Sequence, residues 1–358
     1  NNLNKAGRSF MSLHIRVKIS IAILMLLALT FNVSAQTPPV QGENCYSKVF
    51  EEKVIGHSLA NTYLLMYAAY NTYENRMGVA NFNEFQKKFK EIFTPLGISR
   101  FDFINKKEKT ADTQLVVMSN DKLVIVSFRG SESSTNNKVS PVKIVYDWVL
   151  TDFNFFKKRV PWWGWGVKVH SGFYNALDIV YDDLKSLVDR HMAGVPKRLW
   201  ITGHSLGAGV APLAAYRLAG DGLDVQGIYT FAGPRIGNDN FAKAIKKRFP
   251  DMQRWVLDND IVTKVPFKIM KFKHIVAPNN IYGDGKFAIA DGEMKGPGKV
   301  KNHMPGMYLQ KIYDLLPLEL KDKMPPPPAF GSDRSVEDAE LERAFNGDAV
   351  KAEEDTSN

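Results

Sequence analysis

The sequence predicts an α/β fold with a mixed, mostly parallel central sheet flanked by helices. Three observations carry that expectation. Short apolar runs of strand character recur after residue 196, in "KRLWIT", "VQGIYTF" and "QRWVL", each followed by a turn. Between the first two lies "GAGVAPLAAYRLAG", rich in small and helix-forming residues and closed by Gly220. Upstream, "DTQLVVMSNDKLVIVSF" reads as a β-hairpin turning at Ser119-Asn120-Asp121, which gives an antiparallel edge to a parallel core.

The elements can be taken in chain order. The chain has 358 residues, 44% hydrophobic and 24% charged, an ordinary globular composition. From Met11 a positive region, His14, Arg16 and Lys18, precedes the apolar run "ISIAILMLLALTF" and a small-residue site at Val33-Ser34-Ala35. This pattern predicts a secretory signal peptide over residues 1–35, cleaved near Ala35, with residues 1–10 as an extension upstream of the native start. The apolar run is short for a bilayer and no stop-transfer flank follows. The expected location is secreted or periplasmic. Residues 36–324 read as a single domain, and Cys45, the sole cysteine, allows no internal disulfide and no cysteine-based metal site. Residues 325–358 read as a proline-rich linker and a disordered tail with nine acidic and three basic residues. Against a whole-chain charge of +9, that tail leaves the folded part clearly basic, which favours solubility or an anionic surface.

Two copies of Gly-His-Ser-Leu compete as a nucleophile site, at Ser58 and at Ser205. A nucleophile elbow needs a strand that ends abruptly, a tight glycine-flanked turn and a helix that starts at once. Ser205, inside Gly203–Gly207, has all three: "KRLWIT" before it and "GAGVAPLAAYRLAG" after it. Ser58 has Ala60 where the closing glycine should be, and apolar residues at helical spacing on both sides predict a mid-helix serine. Downstream of Ser205, "MQRWVLDNDIVTKVP" ends a strand at Asp258-Asn259-Asp260, the edge at which ligands bind in parallel sheets. Two histidines follow. His274 sits in "KFKHIVAPN", a strand-like run, whereas His303 sits in a polar loop before an amphipathic helix and is the better base.

These residues resemble the class 3 (fungal-type) lipases of the α/β-hydrolase fold. Besides the Ser205 elbow, "LVIVSFRGSES", "DWVLTDFNF", "VHSGFYNAL", "TFAGPRIGN", "NDIVTKVP" and "NHMPGMYL" are similar to that family's blocks, in its order, over Glu51–Leu316. The resemblance implies Ser205 as nucleophile, Asp260 as acid and His303 as base, with Asp258 as the alternative acid. It also implies Ser131 and Leu206 as donors of the N–H groups that receive the oxyanion. It gives His170 and Arg235 structural positions. The implied activity is serine ester hydrolysis of lipids, acylglycerols favoured, with no cofactor, no metal and no nucleic-acid partner. Small or aromatic soluble esters, or phospholipids, form the alternative substrates. An inactive lipid- or partner-binding module is the reading from another class.

Two segments depart from the family pattern. The lid region "ESSTNNKVSPVKIVYD" is long, polar and interrupted by Pro141. Next, "FFKKRVPWWGWGVKV" sets Lys157, Lys158 and Arg159 beside Trp162, Trp163 and Trp165. Such a basic aromatic stretch suits transient binding to an anionic membrane or lipid-droplet surface, and it suits equally a tryptophan cluster packed over the sheet. His191 reads as a surface residue and His204 as a spacer within the elbow.

Overall fold

The computed structural model describes residues 41–109, 111–131, 157–160, 163, 166–266, 268–289, 291–294, 298–299 and 301–328. All fall in the unit Gln41–Asn358, into which internal contacts divide the chain after Val40. The expected signal peptide, the lid region 132–147 and the tail beyond residue 328 lie outside the described residues.

Among the described residues the strands are β1 (Arg100–Glu108), β2 (Ala111–Ser119), β3 (Leu123–Phe128), β4 (Lys157–Arg159), β5 (Lys168–His170), β6 (Arg198–His204), β7 (Val225–Phe231), β8 (Gln253–Leu257), β9 (Asn279–Ile281) and β10 (Phe287–Ala288). Eight form one sheet in the order β1-β2-β3-β6-β7-β8-β9-β10, and β4 and β5 form a separate ribbon. Pairing is parallel from β3 through β9 and antiparallel at both ends of the sheet. The predicted hairpin closes at Asn120, whose side-chain oxygen accepts from Lys122 N at 2.9 Å and Leu123 N at 3.1 Å. An asparagine bonding to the backbone just ahead of it is a sufficient local cause for the turn.

The central strands β3, β6, β7 and β8 are mostly apolar and buried along nearly their whole length, because both sheet faces are covered. On β3, Val124, Val126 and Phe128 pack on the face that carries the helices Ser171–Asp178, Tyr181–Met192, Leu206–Gly220 and Asp239–Arg248. Leu123 and Ile125 point to the other face, against Leu59–Tyr70, Phe82–Phe93 and Pro305–Leu315. The helix Leu59–Tyr70 is buried at every residue but Leu59, which explains its weak amphipathic signal.

Three local expectations are corrected, and one choice left open, at Trp163, is decided. Ser58 is not inside a helix: it is the N-cap of Leu59–Tyr70, its Oγ accepting from Asn61 N at 3.2 Å and donating to Glu51 at 2.8 Å. The helical spacing of "SKVFEEKVI" misled because most of that stretch is a loop packed on the helix start. His191 is fully buried, bonded to Ser119 Oγ at 2.8 Å and Asp102 Oδ2 at 2.9 Å, so a residue in the last turn of a surface helix faces inward. The run around His274 is irregular, and the strand begins only at Asn279. Trp163 is core, its ring 3.8 Å from Tyr216 and 5.2 Å from Phe241. Trp162 and Trp165 lie outside the described residues. Lys157 donates to Met270 O at 2.6 Å, and Lys158 lies 4.1 Å over the Tyr174 ring, so both cations have partners within the fold.

His170 has the structural position expected of it. Its Nδ1 accepts from Gly172 N at 3.0 Å, capping the helix Ser171–Asp178, which requires an unprotonated Nδ1. Burial pushes its pKa down from 6.5 to about 4. A depressed folded-state pKa means that the contribution is complete above about pH 6.5 and is lost as pH falls through about 4. Replacing His170 with asparagine retains a capping oxygen but removes the titration. Urea midpoints between pH 7 and 4 should therefore fall more steeply for the wild type than for His170→Asn; parallel curves would refute this role.

Candidate active site

The site begins with a backbone constraint. β6 ends at His204, the helix Leu206–Gly220 starts at the next residue but one, and Ser205 between them adopts φ 58°, ψ −122°. That conformation is strained for a residue with a side chain and persists only where its surroundings fix it. Here Ser205 N donates to Phe231 O of β7 at 3.0 Å. On the helix side, Gly207 lies so close to β3 that a Cβ there would sit 2.3 Å from the carbonyl oxygen of Phe128. The two neighbouring strands thus clamp the turn, and Ser205 Oγ projects at the C-terminal edge of the sheet.

The acid and base arrive from two later segments. After β8 ends at Leu257, the chain turns through Asp258 and places Asp260 fully buried. His303 closes a short 3-10 turn, Lys301–His303, just before the helix Pro305–Leu315. Its Nδ1 is 3.1 Å from both carboxylate oxygens of Asp260, and its Nε2 is 2.8 Å from Ser205 Oγ. The carboxylate holds the imidazole proton on Nδ1, which leaves Nε2 to accept from the serine hydroxyl. Asp258 is engaged elsewhere, accepting from Asn302 Nδ2 at 3.0 Å and pairing with Lys299 at 3.3 Å. Of the two acids considered, the structure brings only Asp260 to His303.

Asp260 is well supplied with donors. Its Oδ1 accepts from Val262 N at 2.9 Å and its Oδ2 from the Tyr308 hydroxyl at 2.8 Å. Tyr308 in turn accepts from Leu257 N at 2.8 Å. Burial, then the Asp260 charge, pushes the phenol pKa well above 10, so Tyr308 remains a donor. A buried carboxylate with donors on both oxygens can stay ionised without solvent.

His204, read from sequence as a spacer, forms the floor. Its ring lies 4.9 Å from that of His303, and its Nδ1 is 2.8 Å from the Tyr73 hydroxyl. Burial first, then the charges of His303 and Arg76, hold its pKa well below 6.5. His204 is therefore neutral at neutral pH and places no second positive charge beside the tilted His303 ring.

Beyond β3, Arg129 is held by Gln114, by Asp112 at 3.3 Å and by Glu74 at 4.0 Å. Gly130 then passes so near the elbow that a Cβ would lie 2.0 Å from the Tyr73 hydroxyl and 2.9 Å from His204 O. Ser131, partly buried, follows directly and is the last described residue before 132–156. Leu206 is the first residue of its helix, so its N–H has no partner within the helix and points along the positive end of the helix dipole.

Tyr308, Tyr73 and His204 are the site residues that sequence reasoning did not single out. Tyr308 had a usable signal: it follows His303 by five residues on a helix start. Tyr73 had none, since it meets His204 across 131 residues of chain.

Taken together, these contacts can draw a proton from Ser205 Oγ, store it on His303 and balance the resulting charge with Asp260. A profile described as Lipase (class 3) matches residues 125–270, a stretch that contains Ser205 and Asp260. Secreted mono- and diacylglycerol lipase A of Penicillium cyclopium is 30% identical over 213 residues, 57% of this chain and 65% of that protein. Secreted mono- and diacylglycerol lipase 1 of Fusarium solani is 32% identical over 154 residues, 43% of this chain and 42% of that protein. The chain therefore spans just under two thirds of the first relative and under half of the second. The crystal structure of a fungal lipase superposes with a TM-score of 0.50 at 25% identity, covering 70% of this chain and 95% of that one. A mono- and diacylglycerol lipase from Aspergillus oryzae shares the fold with a TM-score of 0.51 at 24% identity, covering 75% and 95%.

The contrast between the two acids can be measured directly. In Asp260→Asn, the rate at which a fluorophosphonate labels Ser205 should fall by a factor on the order of 10³–10⁴, because the amide favours the wrong imidazole tautomer. Asp258→Asn should stay within a few-fold of wild type. Tyr308→Phe should fall between them. Equal losses in the two aspartate variants would contradict the geometry.

Proposed function

We propose that this chain is a class 3-type lipase, a secreted serine hydrolase that cleaves carboxylic esters of lipids, acylglycerols before phospholipids. The observation that carries the reading is the series Ser205 Oγ–His303 Nε2 at 2.8 Å and His303 Nδ1–Asp260 at 3.1 Å, mounted on the strained turn. A serine hydroxyl is a weak nucleophile until a base takes its proton.

In the proposed reaction Ser205 Oγ attacks the ester carbonyl carbon as its proton passes to His303 Nε2. The carbonyl oxygen becomes an oxyanion, met by the backbone N–H groups of Ser131 and Leu206. Asp260 stabilises the imidazolium and does not itself take the proton. Collapse breaks the bond to the alcohol oxygen, which leaves with the proton from His303, and the acyl group remains on Ser205. Water then enters, gives a proton to His303 and attacks the acyl carbon. The second collapse releases the fatty acid and returns the proton to Ser205 Oγ.

The relatives named above are described as secreted and as acting on mono- and diacylglycerols, which supports the same substrate class and location here. Within this reading, residues 1–35 are the signal peptide, 36–324 the hydrolase domain and 325–358 a linker and acidic tail. Transient adsorption to an anionic lipid surface belongs to the same reading. It rests on the basic charge of the folded part and on the exposed Lys158 and Arg159, not on Trp163.

Two measurements test the proposal together. Purified protein should take up a fluorophosphonate stoichiometrically, Ser205→Ala should take up none while remaining folded, and Ser58→Ala should label at the wild-type rate. A chain-length series of mono- and diacylglycerols, assayed below and above their solubility limits, should be hydrolysed by the wild type and not by Ser205→Ala. Hydrolysis surviving in Ser205→Ala would sink the assignment.

A further inference from the structure

A second site lies on the helix-covered side of β8, apart from Ser205, Asp260 and His303. A cavity of about 330 Å³ is lined by the cations Arg235, Lys246, Arg254, Lys268 and Lys273, and none of the three residues above borders it. Two acids, Asp291 and Glu293, also line it. Both are already engaged. Glu293 accepts from Arg235 at 3.1 and 3.2 Å and pairs with Lys268 at 2.6 Å. Asp291 accepts from the Tyr282 hydroxyl and from Gly292 N.

Arg254 is the residue left over. It projects from β8, is 4% exposed, and its Nε and Nη1 have no hydrogen-bond partner among the described residues. Its neighbour Arg235 shows what a settled buried arginine looks like here, donating to Lys264 O, Pro266 O and both Glu293 oxygens. Burial pulls the Arg254 pKa down only to about 10, so the side chain stays charged at neutral pH. A buried guanidinium with two nitrogens unpartnered is costly, and those nitrogens are strong donors to an anion. His274, which borders the same cavity, adds no acid, and burial keeps its imidazole neutral. On its inner side Arg254 meets a space of only about 10 Å³ reaching Ala208 of the elbow helix, too small for more than one water. The ligand must therefore come from the outer cavity, past the exposed Lys246 and Lys273.

We propose that this cavity binds a phosphate group, which accepts hydrogen bonds from the unpartnered nitrogens of Arg254 and is drawn in by Lys246 and Lys273. Five cations against two engaged acids favour a multiply charged oxyanion over a single carboxylate. The phosphate can come from solution or from a phosphomonoester lipid headgroup. The proposal is independent of the hydrolase reading, since it uses neither Ser205 nor its partners.

The test is a thermal-unfolding titration of the full chain with inorganic phosphate at constant ionic strength, for wild type, Arg254→Met and Lys246→Gln/Lys273→Gln. Wild-type Tm should rise saturably with phosphate. Arg254→Met should start at an equal or higher Tm without phosphate, because it removes a buried guanidinium with two unpartnered nitrogens, and should need at least tenfold more phosphate for the same rise. The double lysine variant, whose side chains lie at the surface, should be several-fold weaker and carries the test if Arg254→Met does not fold. In parallel, co-sedimentation is measured with phosphatidylcholine vesicles, with and without phosphatidic acid. Binding that needs phosphatidic acid and is lost in the variants, without a response to free phosphate, assigns the headgroup as the source. Identical behaviour of wild type and variants toward both probes, or no response to either, overturns the proposal.

Discussion

Everything at the candidate site hangs on one backbone turn. Ser205 sits in a conformation that its own side chain disfavours, and it is kept there because two strands grip it from either side. β7 supplies the Phe231 carbonyl that its N–H bonds, and β3 supplies the wall against which Gly207 rests. The small residues that open the following helix, Gly207, Ala208 and Gly209, let that helix start this close to the sheet. Strain of this kind is tolerated at functional sites because the surrounding core over-determines it. The two covered sheet faces thus serve as the scaffold that keeps Ser205 Oγ at the edge of the sheet.

The acid–base pair depends on a different economy, that of buried polar groups. Asp260 has no contact with solvent, yet Val262 N, Tyr308 and His303 each approach its carboxylate at hydrogen-bond distance. Its main chain is tied as well, the carbonyl accepting from Thr263 Oγ1 at 2.8 Å. These bonds come from the turn after β8, the 3-10 turn Lys301–His303 and the helix Pro305–Leu315, so the position of the carboxylate is shared among three elements. Under the ring of His303, neutral His204 and the Tyr73 hydroxyl make a polar floor. A carboxylate bonded on both oxygens in this way is held rigidly, whereas losing one donor would expose it to the cost of desolvation.

What could be read from the sequence was what the sequence stores locally. The strand, turn and helix around Ser205 are contiguous in the chain, and so are the hairpin at Asn120 and the strand ending at Asp258–Asp260. Each announced itself through length, period and turn residues. Failures came where burial, not period, decides. Ser58 sits between two stretches of helical spacing, but Glu51 and Asn61 fold back on its hydroxyl and make it a cap. His191 ends a helix with a polar face, and only the hairpin strands β1 and β2, which bring Asp102 and Ser119 over it, make it interior. Trp163 stayed open because tryptophan beside lysine has two meanings, and Tyr216 and Phe241 select the core one. Tyr73 and Arg254 depend on contacts across the fold and left no trace in the local pattern.

The antiparallel ends of the sheet have a bearing on how molecules of this chain meet one another. Every open sheet offers unpaired backbone groups at its margins, and a long flat margin invites a neighbouring chain to extend it. One margin here is β10, two residues long, which gives an intruding strand almost no length to pair with. The other is β1, nine residues long but studded with charge at Arg100, Asp102, Lys106, Lys107 and Glu108. Lys106 is further drawn aside toward Asp183 at 2.6 Å. Among the described residues, both margins thus disfavour edge-to-edge pairing between molecules.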